Sequence, residues 1–285
     1  MNNERRIKLF RSGLILLFSI LIISSQWTLA AFEDLAKGAR SAGLAGAFVA
    51  VPGSAENLLS NPAALSVLNG ISIHLFYTKP FGLAEMKHGN VSVILPFFKK
   101  NFGFGAQSFG NDKYGENTLY AGFSAPIFKS LFIGSTIRYA NLNISGYGRA
   151  GTFIIDLGAW AKLAPSVYWG TSVKNIANAK IGRSGEELPQ AMTTGFMLSP
   201  ISQFSITIDL NKDTRFPLDI CSGAEYRPLK VFALRVGVAS DPQIFAAGFS
   251  VKFKNIRLDY AFTNHSELGF THLFSLTFNS ESTSL

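Results

Sequence analysis

The chain has 285 residues, a net charge of +8, 47% apolar and only 15% charged residues, 26 Phe, 26 Gly and a single Cys. One cysteine excludes an intramolecular disulfide framework, and the scattered basic excess contains no Lys/Arg run or aromatic-plus-basic motif of a nucleic-acid binder. A charged fraction well below the roughly 25% of an average globular chain, with so much phenylalanine, points away from a water-soluble exported protein.

Residues 1–30 read as a secretory signal. Arg5, Arg6, Lys8 and Arg11 form a basic start, Leu14 to Ile23 is apolar, and Thr28 and Ala30 occupy the −3 and −1 positions of a cleavage site before Ala31. The apolar run falls short of the about 20 residues that span a bilayer. No cysteine lies nearby to carry a lipid anchor. Removal of this segment would leave a net charge of +5, because it holds four basic residues and one acid, Glu4.

Residues 31–70 do not alternate. The run from Arg40 to Val51 is rich in Gly, Ala and Ser. Ser54 to Ser60 predicts one or two helical turns with Ser54 as N-cap, ended by Asn61-Pro62 because proline disfavours helix at the residue before it. Such a segment fits either a periplasmic tail or a plug inside a barrel, where small residues permit close packing.

From residue 71 onwards the apolar residues recur with period two, as in Phe204, Ile206, Ile208 and Leu210 against Ser205, Thr207, Asp209 and Asn211. No apolar run after residue 30 is long enough for a transmembrane helix. In lipid only helices and closed barrels satisfy every backbone hydrogen bond, so the pattern predicts a barrel. The chain is read as all-β, a transmembrane antiparallel barrel of about fourteen strands with a short N-terminal helical hatch or plug. The expected strands are 71–78, 87–97, 101–109, 117–127, 130–141, 151–163, 166–175, 189–199, 203–211, 217–227, 230–240, 243–253, 255–263 and 267–278. Short links alternate with mostly longer or more polar ones, which places both chain ends and the short turns on the periplasmic side. The domain plan is a signal at 1–30, a plug at 31–70, a barrel at 71–278 and a tail at 279–285. Aromatics at strand ends, namely Tyr77, Phe81, Phe97, Phe98, Phe128, Phe132, Tyr139, Tyr226, Phe253 and Phe278, are expected to form interfacial girdles.

Eight charges fall on the polar face: Arg138, Asp156, Asp209, Asp219, Glu225, Arg235, Arg257 and Asp259. At mid-depth on the lipid face an Arg or Lys would cost about 2–4 kcal/mol, so these point into the lumen. Their mixed signs predict a structural network that fixes register and grips the plug, with Arg235 pairing Asp219 or Glu225, and Arg257 and Asp259 holding the plug. A polar solute path is the competing reading. Cys221 is expected to be a buried or lumen-facing small residue.

Catalytic chemistry is absent from the pattern. His74, His88, His265 and His272 have no metal-ligand partner at useful spacing, and there is no H-E-x-x-H or G-x-S-x-G motif. His265 with Glu267 is expected in a solvated outer turn, and His272 on the lipid side. No enzyme, cofactor or metal is expected.

The run Arg40 to Val51, followed by Glu56-Asn-Leu-Leu-Ser-Asn-Pro-Ala-Ala-Leu65, resembles the N-terminal signature of the FadL-like superfamily, and within it the PorV/PorQ family. The ending Leu258 to Leu276 is similar to that family's last hairpin. The resemblance implies an outer-membrane barrel with an N-terminal hatch whose motif is Asn61, Pro62 and Ala63. PorV-type members serve type IX secretion and surface attachment; FadL-type members pass hydrophobic solutes. The first is the leading expectation and the second the alternative. Expected partners are outer-membrane lipid, the barrel assembly machinery, and either exported proteins or a hydrophobic solute.

Overall fold

In a computed structural model of the chain the described residues are 31–280; the signal expectation, Ala30 included, and the end of the tail lie outside them. The strands are β1 Ser72–Thr78, β2 Lys87–Phe97, β3 Lys100–Gly110, β4 Tyr114–Pro126, β5 Leu131–Ile144, β6 Gly148–Ala164 and β7 Val167–Lys174. They continue as β8 Lys180–Ile181, β9 Glu186–Glu187, β10 Ala191–Ile201, β11 Phe204–Asp213, β12 Leu218–Leu229, β13 Phe232–Ser240, β14 Gln243–Phe253, β15 Ile256–His265 and β16 Gly269–Asn279. All but β8 and β9 join one closed antiparallel barrel of fourteen strands. β1 closes it against β16, from Ser72 opposite Asn279 to Thr78 opposite Leu273. Closure leaves no strand edge unpaired, the condition a lipid surround imposes.

Side-chain alternation fixes the register. On β1, Ile73, Leu75 and Tyr77 point outward while Ser72, His74, Phe76 and Thr78 are buried inside. A one-residue slip would turn that polar row to lipid, so the register is strongly specified. The outer wall is predominantly apolar and would be untenable in water. No described helix is long and apolar enough to cross a membrane; the crossing is made by strands.

The two rims differ. Six short turns lie at one end, and four strongly exposed phenylalanines sit there: Phe97, Phe98, Phe128 and Phe253, with Phe98 85% exposed. Tyr77 and Tyr139 mark the other, loop-bearing end. Phe132 departs from the expected girdle. It shares inward parity with Gly134 and Thr136, and its ring lies 5.6 Å from that of Trp160 beneath the plug. The longest loop, 175–190, carries the small hairpin β8–β9, which the sequence reading did not include. Lys180 pairs Glu187 across it at 2.8 Å and holds that exposed carboxyl below its usual range.

Residues 31–70 run down the lumen as a plug. Ala31 and Phe32 pack near the loop rim on Ala140, Ile154, Ile181 and Leu188, the side opposite to that expected for the start of the mature segment, because the plug traverses the lumen before the chain leaves at the short-turn rim into β1. Two single-turn helices, α1 Ala39–Ala42 and α2 Asn57–Ser60, and a 3-10 turn over Pro62–Val67 make up its regular structure. The helix expected over 54–60 is shorter, and Ser54 does not cap it. Asn57 supplies the local bonds instead: its amide oxygen accepts from Ser54 N at 2.9 Å and its amide donates to the Val51 carbonyl at 2.9 Å. Asn61 ends α2 in extended conformation, as the following proline requires.

Candidate functional site

The candidate site is the seat between plug and barrel wall. Its first component is glycine. Lumen-facing glycines sit opposite one another on neighbouring strands: Gly103 with Gly122, Gly134 with Gly158, Gly170 with Gly195, and Gly223 with Gly237. A Cβ on Gly134 would lie 2.5 Å from Ala63 N, and one on Gly170 would lie 2.2 Å from the Val49 carbonyl oxygen. On Gly237 it would lie 2.4 Å from the Leu44 carbonyl carbon. Only a wall without side chains at these points lets plug backbone approach so closely.

The second component is an ionic clamp on the plug's first half. Arg40, in α1, reaches Glu225 on β12 through Nε and Nη2, both at 3.1 Å. Glu225 also accepts from Arg227 at 2.9 Å and from Arg235 at 2.5 Å. Arg235 continues to Asp259 at 3.1 Å, which Arg257 also holds at 2.8 Å. The Ser250 hydroxyl touches both Arg235 and Asp259. Burial works against the charge of Arg40, and the Glu225 carboxylate beside it outweighs that cost. A buried charge without such partners would be untenable. Within the plug, Glu56 accepts from Ser41 N at 3.0 Å, and a Cβ on Gly38 would collide with its carboxylate carbon at 2.3 Å.

The third component is neutral and holds the second half. Asn61 donates to Val49 O at 2.8 Å and to Ala159 O of the wall at 3.0 Å, and accepts from Ala63 N at 3.2 Å. Pro62 starts the 3-10 turn, and Ala63 is fully buried beside Trp160. The Trp160 indole donates to Ala50 O at 2.8 Å, Thr136 to Leu58 O at 2.9 Å, and Asn101 to Leu65 O at 2.7 Å. Between the halves, Asp209 accepts from Phe48 N at 2.7 Å and Val49 N at 2.8 Å, while its other oxygen has no partner. Near the loop rim, Asp34 meets Lys37 at 2.7 Å and Lys174 at 2.5 Å.

The eight charges expected in the lumen thus divide. Glu225, Arg235, Arg257 and Asp259 form one network with the plug. Arg138 and Asp156 form a separate pair on the wall at 2.7 Å, and Asp156 also accepts from Asn175 N. Asp209 pairs no cation and caps plug backbone. Asp219 does not meet Arg235. It sits higher, accepting from Ser240 N and Asp241 N at 3.0 Å in the β13–β14 turn, because parity gives a residue's face and says nothing of its depth. Arg257 touches the plug only through Asp259 and Arg235, so the direct grip belongs to Glu225.

Sequence reasoning missed Arg40, Arg227, Asp34 and Lys174. Arg227 shares the parity of Glu225, and Arg40 is the lone charge in a run of small residues; both signals were there to be used. His74 and His88 turn out to be fully buried in the lumen, with His88 edge-on to Phe76 at 5.2 Å. His272 faces outward and bonds Tyr260 at 2.8 Å; His265 accepts from Glu267 N at 3.2 Å in its turn. Cys221 is buried and faces the lumen. Among the described residues no group of three His, Cys, Asp or Glu side chains is placed to hold a metal. A cleft of about 860 Å³ at the loop ends of β2, β3 and β4 is lined by polar and charged groups including Glu85, Lys87, Asp112 and Lys113.

These features define a membrane-spanning β-barrel closed by its own N-terminal segment. Solved structures share that fold. The Pseudomonas putida toluene transporter TodX superposes with a TM-score of 0.67 at 15% identity, covering 86% of this chain and 99% of that one. The CymD monoaromatic hydrocarbon channel gives 0.66 at 14% identity over 86% and 98%. A Pseudomonas aeruginosa FadL homologue gives 0.65 at 12% identity over 88% and 100%. The fold is therefore FadL-like, as the N-terminal signature implied; these structures carry no support for the finer PorV/PorQ resemblance. No family model and no curated protein matches the sequence.

Proposed function

We propose that the protein sits in the outer membrane and passes hydrophobic small molecules through its lumen, the plug acting as the gate. The observation that carries this reading is the apolar patch near the loop rim, where Ala140, Ile154, Ile181 and Leu188 are covered by the chain's own Phe32. Phe32 holds a left-handed φ of 62°, which favours glycine over a bulky side chain. An apolar surface covered by one strained residue is easily uncovered for an apolar solute. The neighbours named for toluene and other monoaromatic hydrocarbons share the barrel and make that class the first to try. On this reading the work is passage, not catalysis.

The test is entry of radiolabelled toluene into cells or proteoliposomes carrying the barrel. Wild type should raise entry over empty membranes, and Phe32→Ala should raise it further. Equal entry with and without the barrel would sink the proposal.

The export-accessory reading stands second. It requires an apolar patch on the outer loops for a protein partner. Tyr147 is 90% exposed there, but Tyr114 is tied to Glu116 by its hydroxyl at 2.5 Å, and the outer cleft is charged. Capture of exported proteins by the tagged barrel, with no effect on solute entry, would restore it.

A further inference from the structure

The two rims carry different electrostatics. The six short turns, with three residues on either side of each, hold nine Lys or Arg and no Asp or Glu. The seven loops at the other rim, counted the same way, hold nine of each sign. Arg227 and Arg257 of the basic rim turn inward to the clamp. Lys99, Lys100, Lys129, Lys230 and Lys254 are exposed around the barrel, while Lys162 shares the inward parity of Trp160 and lies 5.6 Å from the Tyr168 ring at the mouth of the lumen. The five exposed lysines alternate with exposed aromatics: Phe97 packs on Phe98 at 4.6 Å, and Lys254 lies 5.6 Å from the Phe253 ring. Aromatic rings of this exposure sit at the boundary of hydrocarbon and water, which sets the lysines at headgroup depth. A ring of like charges without acids repels itself, so it calls for anions from outside the chain.

We propose that this collar binds the anionic phosphodiester headgroups of phospholipids in the leaflet facing the short turns. With short turns on the periplasmic side, and on the outer-membrane placement of the proposed function, on which this rests, that is the periplasmic leaflet. The ligand is a lipid and not a soluble phosphate, because the lysines are interleaved with rings that need an acyl environment. The collar would fix the height of the barrel at the end where the plug chain enters β1.

The experiment reconstitutes the full barrel in mixed phosphatidylglycerol and phosphatidylcholine membranes, extracts it gently and counts retained lipids by native mass spectrometry. Wild type should retain phosphatidylglycerol over phosphatidylcholine by about fivefold or more, the factor one lysine supplies near a charged surface. The preference should fall in 0.5 M NaCl and survive excess glycerol phosphate. A variant with Lys99, Lys100, Lys129, Lys230 and Lys254 changed to Gln should lose it. A variant with Lys79, Lys113, Arg149, Lys180 and Arg183 changed to Gln should keep it. Both must show the heat-modifiable gel migration of a folded barrel. No preference in wild type, displacement by glycerol phosphate, or equal loss in both variants overturns the proposal. A barrel that does not insert into any membrane would overturn the outer-membrane reading as well, and so is told apart from failure of the collar alone.

Discussion

The two halves of the plug are held by different physics. Residues 39–48 lie against β10 to β16, where Arg40 enters a network of four guanidiniums and two carboxylates and Asp209 binds the backbone of Phe48. Residues 49–68 lie against β3 to β7, where facing glycines admit plug backbone and neutral groups finish the bonds. An ion pair in a low dielectric is costly to half-remove and far less costly to remove whole. A glycine seat is tight but has no such asymmetry. The first half therefore suits an all-or-none release, and the second suits a permanent seal.

The largest effect should come from Glu225→Ala. It takes the counter-charge from Arg40 and Arg227 and half that of Arg235, and breaking a buried pair on one side costs about 3–5 kcal/mol. Urea unfolding in detergent should show a loss of that size. Hydrogen exchange should rise over residues 39–48 and stay level over 57–65. The paired variant Arg40→Met with Glu225→Met should recover part of the loss. If exchange rises equally in both halves, the division drawn above is wrong.

Next comes Gly170→Val. The new side chain would meet the Val49 carbonyl oxygen and the Ala50 Cα, neither of which can rotate away. Overpacking of this kind costs about 1–3 kcal/mol. Here the barrel should still fold while the second half of the plug lifts, so liposome swelling with a small sugar should accelerate. Unchanged swelling would mean the glycine seat does not seal the lumen.

Asn61→Ala should follow, at about 1–3 kcal/mol, because it takes the amide donor from the buried Val49 carbonyl and the bond that ties the plug to Ala159 of the wall. Proteolysis of folded barrels should then cut within 57–68 faster than in wild type. A rate equal to wild type would show that Trp160 and Thr136 suffice.

Much of this wall was legible in advance. Period-two alternation marks every barrel strand within a few residues, because the lipid outside and the polar lumen leave each side chain one acceptable direction. Gly, Ser and Thr on the inner parity already point to an occupied lumen. The seat was less legible. Arg40 finds Glu225 across 185 positions of sequence, and nothing in a non-periodic segment encodes such a partner. Asp219 was assigned to the network because face is periodic in sequence and depth is not. Ser54 lost its capping role to Asn57, whose amide bonds Ser54 N and the Val51 carbonyl at once. Phe132 sits at a strand end, yet its parity with Gly134 turns it inward, and parity prevails over position.

The smallest effect tests the upper end of the first half. Burial opposes the charge of Asp34, but Lys174 and Lys37 outweigh it and hold the carboxyl below its usual 3.8. A group with a lowered value stabilises the fold fully above the unfolded value, and the contribution fades as pH falls through the lowered one. The Asp34 side chain is 41% exposed, so solvent screens the pair and the contribution should be under about 1 kcal/mol. Exchange near residues 33–37 should therefore match wild type and Asp34→Asn at strongly acidic pH and diverge at neutral pH, with the variant the looser. The core of the clamp is a separate set of pairs, in which Glu225 faces three guanidiniums, and should not follow that titration. If the whole first half loosened together with Asp34, the plug would be a single cooperative unit from its tip to the clamp, and release by a solute at Phe32 would carry to Arg40.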